Sequence, residues 1–408
     1  MSDAPPVEGT RKRLDHIDAM RPVKQAAVVS THTLIFFAPL ATNTTVIGLI
    51  MLTRFSREAF LFVSACMLTF SYRDTAQLKL KHYWKRRFIS VGVPFLAWTV
   101  IYYFYTTAHQ IKGFPFYSFN HSIAFSDAGF HYFVHILRTG YYHLYYLIVI
   151  IEFYLLFPLL LKLIRRFSRW HKHIMVGAVI WQLAFGVLVD SQPFGFKLNE
   201  ILQTRFVYSY VVYLLGGMIV ALHLDEVHEW IVDKGRWIVS LTILSAFGAE
   251  FLSYCGRYHW LPSYLRTGSL VFAPAIMPFN FGAILCVYLL GVYLVAPQRS
   301  LRTRAAVQSG SDNSYGVYLS QMLWIPFLLR FRNHLAMHSH WQIGVPLALI
   351  TVYAAGMIFT AVAARTPLAK VLTGRSQATW RSLLPRRHET PEVLRGDTGD
   401  GPLDVVKE

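Results

Sequence analysis

The first residues that could do chemistry lie near the start of the chain, where His32 follows Arg21 by eleven residues. In an α-helix this spacing makes about three turns, so the two side chains share one face, about 16 Å apart, with Gln25 on the same stripe. Imidazole titrates near neutrality and suits a general base that acts on a hydroxyl. The alternative is a neutral histidine hydrogen-bonded between helices, and position alone does not separate the two.

A second ionisable group, Glu152, stands inside another apolar stretch. Its carboxylate could orient His32 or carry a proton, and the alternative is a structural partner for an arginine or a tyrosine. We interpret His32 and Glu152 as nearly the only ionisable groups deep in apolar stretches.

Metal chemistry has little support in the sequence. His131 and His135 have the i,i+4 spacing of a helical zinc pair, but no acidic or cysteine partner stands nearby. A solvated segment whose rings stack on a sugar is the favoured interpretation. The three cysteines lie far apart and form neither a metal spacing nor a disulfide framework. We therefore expect no metal site.

The elements that position these residues are membrane helices. The chain has 408 residues, of which 54% are hydrophobic and only 15% are charged, and its mean hydropathy is +0.38. Apolar runs near twenty residues are long enough to cross about 30 Å of hydrocarbon. This composition excludes a soluble enzyme, a disordered chain and a fibrous protein, and it predicts an all-α, polytopic transmembrane bundle. The ten predicted spans are 22–41, 45–70, 87–107, 142–163, 173–190, 206–223, 236–253, 274–296, 314–331 and 343–364.

Charge predicts how the spans are oriented. Lys and Arg cluster before the first span and in the loops after the second, fourth and eighth, which places those segments and both termini in the cytoplasm. We therefore interpret the net charge of +17 as membrane topology and not as nucleic-acid binding. The predicted organisation is a cytoplasmic segment 1–21, a membrane domain 22–365 and a disordered cytoplasmic tail 366–408. The longest outside loop, 108–141, is rich in aromatic residues and histidine.

Several motifs occur in the order that characterises a known family. They are Asp18-Ala-Met-Arg21 followed by ten residues and then His32, Phe60-Leu-Phe-Val-Ser64, Lys85-Arg86-Arg87-Phe88 with Pro94, the stretch from His143 to Pro158, and Ser314-Tyr-Gly-Val-Tyr-Leu319. On these motifs the chain resembles the integral-membrane acyltransferase family 3 over about 14–364. It departs from the family pattern at four positions: Ala65 for a glycine, Ser90 for the second arginine of Arg-x-x-Arg, Glu152 for a glutamine, and Gln321 for a frequent histidine.

The resemblance implies O-acyl transfer from cytoplasmic acyl-coenzyme A to a hydroxyl of a cell-envelope glycan or glycolipid. The acyl group would be acetyl or succinyl, acyl-coenzyme A would be a co-substrate, and no cofactor is implied. The implied location is the plasma (inner) membrane. The resemblance implies His32 as the base and Arg21 as a residue that helps to hold the donor, and its motifs contain Asp18, His143, Ser314 and Tyr315 as candidates around the acceptor or cavity. The residues themselves add Glu152 as a second catalytic candidate, and Lys24, Arg86 and Arg87 as candidates for the donor.

The cationic residues also have a simple physical rationale, because arginine binds phosphate with a bidentate fork and coenzyme A carries several phosphates. For Arg86 and Arg87, topology and lipid contact are an equal alternative. A secondary transporter or flippase is the alternative function, and it predicts an internal repeat and several charges deep in the spans. A membrane scaffold without chemistry would give no reason for Arg21 and His32 to share a helix face.

Overall fold

The computed structural model describes residues 14–39, 43–75, 78–108, 125–191, 205–257, 276–331 and 340–378. Within these ranges the chain is all-α, with no strand. The α-helices are α1 (Asp15–Phe37), α2 (Thr44–Thr53), α3 (Phe55–Tyr72), α4 (Leu80–Arg87), α5 (Val93–Ala108), α6 (Asp127–Thr139), α7 (Tyr145–Arg166), α8 (His171–Ser191), α9 (Val211–Leu222), α10 (Leu224–Asp233), α11 (Gly235–Arg257), α12 (Met277–Val295), α13 (Leu301–Leu329), α14 (Trp341–Ala363) and α15 (Ala369–Thr373).

Helix α1 lies at the centre of the bundle, because it packs against α2 and α3 on one side and α12, α13 and α14 on others. This surrounds its polar side chains with protein, and Lys24, Gln25 and Thr33 are buried in it. Polar groups inside a span are tolerated where they face the bundle interior and not lipid. The helix that carries the Arg21–His32 pair is therefore an interior element.

Breaks in the helices mark local changes of direction. Asn43 caps α2, since its side-chain oxygen accepts from the backbone N–H groups of Thr45 and Val46. Helices α2 and α3 meet at Arg54, and a five-residue π-helix, Phe88–Gly92, joins α4 to α5. Such π-turns are frequent at functional sites. Helix α12 begins at Met277 with Pro278 in its first turn, where the missing N–H of proline costs no helical hydrogen bond.

Among the described residues, five helices are long and apolar enough to span a membrane: Leu80–Thr106, Tyr145–Arg166, Gly235–Leu252, Met277–Val295 and Trp341–Ala363. The bent pair Val207–Leu222 and Leu224–Asp233 makes six if it is one span. Each of the ten predicted spans overlaps one of the helices or helix pairs. The count of ten and the side of the termini stay predictions.

The start of the predicted tail needs correction. Helix α15, which lies within the segment predicted to be disordered, packs against α5, α13 and α14. The indole Nε1 of Trp98 donates to the carbonyl oxygen of Leu372 at 3.0 Å. The tail prediction failed here because buried contacts with the bundle, which local composition does not record, order residues 366–378. Residues 379–408 lie outside the described ranges.

Candidate active site

A cavity of about 490 Å³ lies beside His32 and within the usual size range of small-ligand sites. We call it the His32 cavity. Its described lining comes from helices α1, α3, α6 and α13, and from the segments at Arg54, 140–146 and Arg205. The lining residues are Val28, Thr31, His32, Ile35, Arg54, Ser56, Arg57, Phe60, Tyr132, His135, Ile136, Thr139, Gly140, Tyr141, Tyr142, His143, Tyr145, Tyr146, Arg205 and Tyr318. The four α1 residues recur at three- and four-residue steps, so one face of α1 forms a wall.

The tautomer of His32 follows from its hydrogen bonds. Its Nδ1 lies 3.1 Å from Oε1 of Gln321, and Nε2 of Gln321 donates to the carbonyl oxygen of Tyr318 at 3.1 Å. A carbonyl only accepts, so the amide must turn its oxygen toward His32. The proton of neutral His32 therefore sits on Nδ1, and the Nε2 lone pair is left to accept a proton.

A strained turn before α7 completes the wall opposite α1. Tyr142 has a φ of 35°, and Gly140, at 76°, has the positive φ that glycine tolerates. A Cβ at Gly140 would also come within 2.3 Å of the backbone nitrogen of Tyr145. The turn brings the rings of Tyr142 and His143 to 5.3 Å and 6.3 Å from His32. Strained backbone is frequent where side chains must be held for function.

His143, predicted to face the cavity, does so, and its position is fixed by the backbone. The hydroxyl of Tyr318 donates to the carbonyl oxygen of His143 at 2.5 Å. The segment expected to be a loop, 108–141, contains helix α6, and Tyr132 and His135 on that helix line the cavity. The ring-rich segment is therefore part of the site wall.

A second group of residues, the Arg21 cluster, consists of Arg21, Lys24, Arg87, Tyr154 and Tyr315. The guanidinium of Arg87 lies 5.4 Å from the Tyr154 ring centroid, and both Arg87 and Arg21 act electrostatically on this tyrosine. Lys24 is buried, and its Nζ lies 3.8 Å from the ring centroid of Phe60. The Nε of Arg87 and the hydroxyl of Tyr315 are buried and have no hydrogen-bond partner among the described residues.

The remaining predicted donor and acceptor residues are distributed around this cluster. Asp18 forms an ion pair with Arg21 at 3.2 Å. Arg86 is exposed on α4. Ser314 is buried, and its hydroxyl donates to the carbonyl oxygen of Ser311 at 2.9 Å. Ser314 and Tyr315 do not line the His32 cavity within the described residues. The structure thus places Arg21 and Arg87 where both act electrostatically on Tyr154, leaves Arg86 at the surface and gives Ser314 a backbone contact.

Three rings, which we call the aromatic layer, separate the cluster from the cavity. Phe60, Tyr146 and Tyr318 pack with centroid distances of 5.9, 6.1 and 6.2 Å. All three line the cavity, while Lys24 lies over Phe60 and Tyr315 stacks on Tyr318. The layer therefore contacts the cavity on one side and the Arg21 cluster on the other.

The pairing of Glu152 with His32 that the sequence suggested is not formed between these two described residues. The Oε2 of Glu152 accepts the backbone N–H of Val207 at 2.8 Å, at the start of a 3-10 turn. The position beside the Nδ1 of His32 is filled by Gln321 instead. Glu152 has the contact of a structural cap, because an anion at a helical N-terminus satisfies a free N–H. This geometry fits the structural alternative for Glu152, although its partner is a backbone N–H and not the arginine or tyrosine that the sequence suggested.

Sequence reasoning missed three arginines that line the cavity, Arg54, Arg57 and Arg205, and the contact of Gln321 with His32. The signal for the first two was visible, since Arg54, Arg57 and Glu58 all fall inside the predicted second span. The interpretation of His32 and Glu152 as nearly the only deep ionisable groups was therefore wrong. Gln321 was noticed only as a departure from a family pattern, and its contact with His32 spans 289 residues of sequence.

Long apolar helices around a ligand-sized cavity are the features of a helical membrane protein with an internal site. The sequence model of the acyltransferase domain of acyltransferase family 3 matches residues 15–365. The chain belongs to this family and is an acyltransferase, as the motifs predicted. Comparisons with curated proteins and with solved structures gave no match.

Proposed function

We propose that this membrane protein transfers an acetyl or succinyl group from cytoplasmic acyl-coenzyme A to a hydroxyl of a cell-envelope glycan or glycolipid. The observation that carries the proposal is the His32–Gln321 pair, which leaves a basic nitrogen at the wall of a ligand-sized cavity. The proposed location is the plasma (inner) membrane, with several spans and both termini in the cytoplasm. The His32 cavity then takes the acceptor, and the Arg21 cluster takes the donor from the cytoplasm.

In the proposed reaction, Nε2 of His32 removes the proton of the acceptor hydroxyl as its oxygen attacks the thioester carbonyl carbon. A new C–O bond forms and the C–S bond breaks. The coenzyme A thiolate leaves and takes the proton back from the imidazolium, so the products are an O-acyl ester and free coenzyme A. Gln321 holds the imidazole in the required tautomer throughout, which is the role an orienting group plays beside a catalytic histidine.

The Arg21 cluster suits the phosphates of coenzyme A. Arg21 keeps 37% of its side chain exposed, and it shares Tyr154 with Arg87. Guanidinium groups bind phosphate with two parallel hydrogen bonds. In helix geometry Arg21 lies about 16 Å from His32, a distance that the pantetheine arm of the donor would span. The thioester would pass the aromatic layer on the way to His32.

The test is acyl transfer by full-length protein in lipid vesicles, with acetyl- or succinyl-coenzyme A and extracted envelope glycolipids, followed by mass spectrometry. His32→Gln should reach normal protein levels but lose transfer by about a hundredfold or more, the usual scale for a general base. An amide hydrogen-bonds but takes no proton at neutral pH. His173→Gln, on the exposed surface of α8, is the matched control and should stay active.

The structural interpretation of His32 predicts the reverse result. His32→Gln would then keep full transfer activity, while His32→Ala would lower the amount of protein in the membrane. A well-expressed and fully active His32→Gln protein would overturn the catalytic assignment.

A further inference from the structure

The His32 cavity is cationic, which a site for a neutral sugar does not require. Arg54, Arg57 and Arg205 line it together with three histidines, and no Asp or Glu is among the described lining residues. A cavity of one sign with low-dielectric walls concentrates ligands of the opposite sign. The arginines of the cavity differ in how far the protein already binds them.

Arg57 is engaged by the protein. Its Nη2 lies 2.6 Å from Oε1 of Glu58, which is buried beside it. Its guanidinium lies 5.1 Å from the ring centroid of Tyr210, and its Nη1 donates to the hydroxyl of Tyr145 at 3.4 Å. A buried ion pair of this kind has its charge compensated, so Arg57 is a structural residue of the wall.

Arg54 differs from Arg57 in its surroundings. Its backbone is fixed at the α2–α3 junction, and the neighbouring Thr53 accepts a hydrogen bond from Thr31, the residue before His32. The Arg54 guanidinium lines the cavity and acts electrostatically on His32. Within the described ranges no carboxylate forms an ion pair with it. Glu58 acts on Arg54 electrostatically, but its carboxylate is ion-paired with Arg57. A buried charge without an ion pair of its own is costly, so the retention of Arg54 in the wall of the His32 cavity points to an anionic ligand.

We infer that the acceptor carries a carboxylate or phosphate, which Arg54 binds through its two-pronged guanidinium while His32 receives the hydroxyl. This inference rests on the proposed acyl transfer and names the class of its acceptor: an acidic or phosphorylated sugar. The cavity that Arg54 lines also has the rings of Tyr132, Tyr142, Tyr145 and His135 in its walls. Such rings stack on a sugar ring and offer little to a short acyl chain. Arg205 adds a second cation to the same cavity.

The test uses three matched probes that differ at one carbon: p-nitrophenyl β-glucoside, p-nitrophenyl β-glucuronide and p-nitrophenyl β-glucoside 6-phosphate. Binding to the full-length protein in lipid nanodiscs is measured by calorimetry without donor. The wild-type protein should bind at least one anionic probe about tenfold or more tightly than the glucoside, the scale of one charge-assisted contact. The preferred anion distinguishes a carboxylate from a phosphate.

Arg54→Gln should remove this preference and leave affinity for the neutral glucoside unchanged, while Arg54→Lys should keep part of it because lysine lacks the fork. Arg169→Gln, which removes the same charge from an exposed position, is the control and should keep the preference. Equal or undetectable wild-type binding of charged and neutral probes would overturn the inference. So would equal losses for all probes in Arg54→Gln.

A transfer assay separates this inference from the proposed function. Suppose that transfer depends on His32, but that Arg54→Gln changes transfer to charged and to neutral acceptors by the same factor. The proposed function then stands and the anionic acceptor is rejected. If Arg54→Gln impairs succinyl transfer and spares acetyl transfer for every acceptor, the arginine binds the acyl carboxylate and the inference is overturned. If the anionic probes bind through Arg54 but no acyl transfer occurs, the proposed function fails and the anion site stands.

Discussion

The His32 cavity and the Arg21 cluster both include residues of helix α1, but their central groups are held differently. In the cavity the proposed base already has a partner, since His32 contacts Gln321 and Gln321 donates to the Tyr318 carbonyl. In the cluster, Nε of Arg87 and the hydroxyl of Tyr315 are buried without partners among the described residues. Buried polar groups without partners are costly. The difference teaches that the base is oriented by the protein before any ligand binds, whereas the cluster is arranged for a ligand that supplies acceptors.

The largest effect expected from this comparison is at Gln321. Gln321→Met keeps the side-chain length but removes the acceptor for Nδ1 of His32, so the ring loses its fixed tautomer. We expect kcat to fall about tenfold to a hundredfold, the range measured when orienting partners are removed elsewhere. Transfer activity of the protein in vesicles, at matched protein levels, is the measurement.

Two further variants show whether Gln321 positions His32 or only supports the fold. Gln182→Met is the control, since Gln182 is also buried and donates to the backbone of Ser209 at 2.9 Å. It should lower thermal stability with little change in kcat. Gln321→Glu keeps an acceptor oxygen and should restore part of the lost rate and change the pH dependence of kcat. Equal rates for Gln321→Met and the wild type would contradict the positioning role.

A smaller and different effect is expected in the Arg21 cluster. Arg21→Ala should raise the KM for acyl-coenzyme A by about tenfold, the loss of one charge-assisted contact, while kcat changes little. Arg21→Lys should rescue this only in part, because lysine lacks the bidentate fork. Steady-state kinetics with varied donor separate KM from kcat.

Arg86→Ala is the internal control for the donor site, because Arg86 is exposed while Arg21 and Arg87 converge on Tyr154. It should change KM less than Arg21→Ala does. Unchanged donor kinetics in Arg21→Ala would make the cluster a determinant of topology or lipid contact, and the contrast with the cavity would then lose its functional meaning.

The smallest effect is expected at Glu152, which was predicted to act with His32. Glu152→Gln keeps an oxygen for the N–H of Val207, so transfer activity should stay within about twofold and thermal stability should change little. Glu152→Leu removes the acceptor and should cost about 1 kcal/mol, the usual scale of a lost cap. Thermal unfolding in detergent together with vesicle assays tests both. A large loss of kcat in Glu152→Gln would restore its catalytic assignment.

The sequence by itself determined the helical membrane class, the approximate helix positions and the shared face of Arg21 and His32. These follow from local properties: hydropathy over one span and the fixed rise of a helix. The order of short motifs along about 14–364 also indicated the family. Each motif, each apolar span and the shared helix face depend on residues close together in the chain, which is why they could be predicted.

Only the tertiary structure decided which partners each group meets. Gln321 reaches His32 across 289 residues, and Tyr318 meets the carbonyl of His143 across 175. The same reason explains why Glu152, which was expected beside His32, lies against the backbone N–H of Val207, while Arg54, which was not expected in the site, lines the His32 cavity. Local spacing fixes which face of a helix a side chain occupies, but the neighbour that covers this face is chosen by the packing of helices distant in sequence.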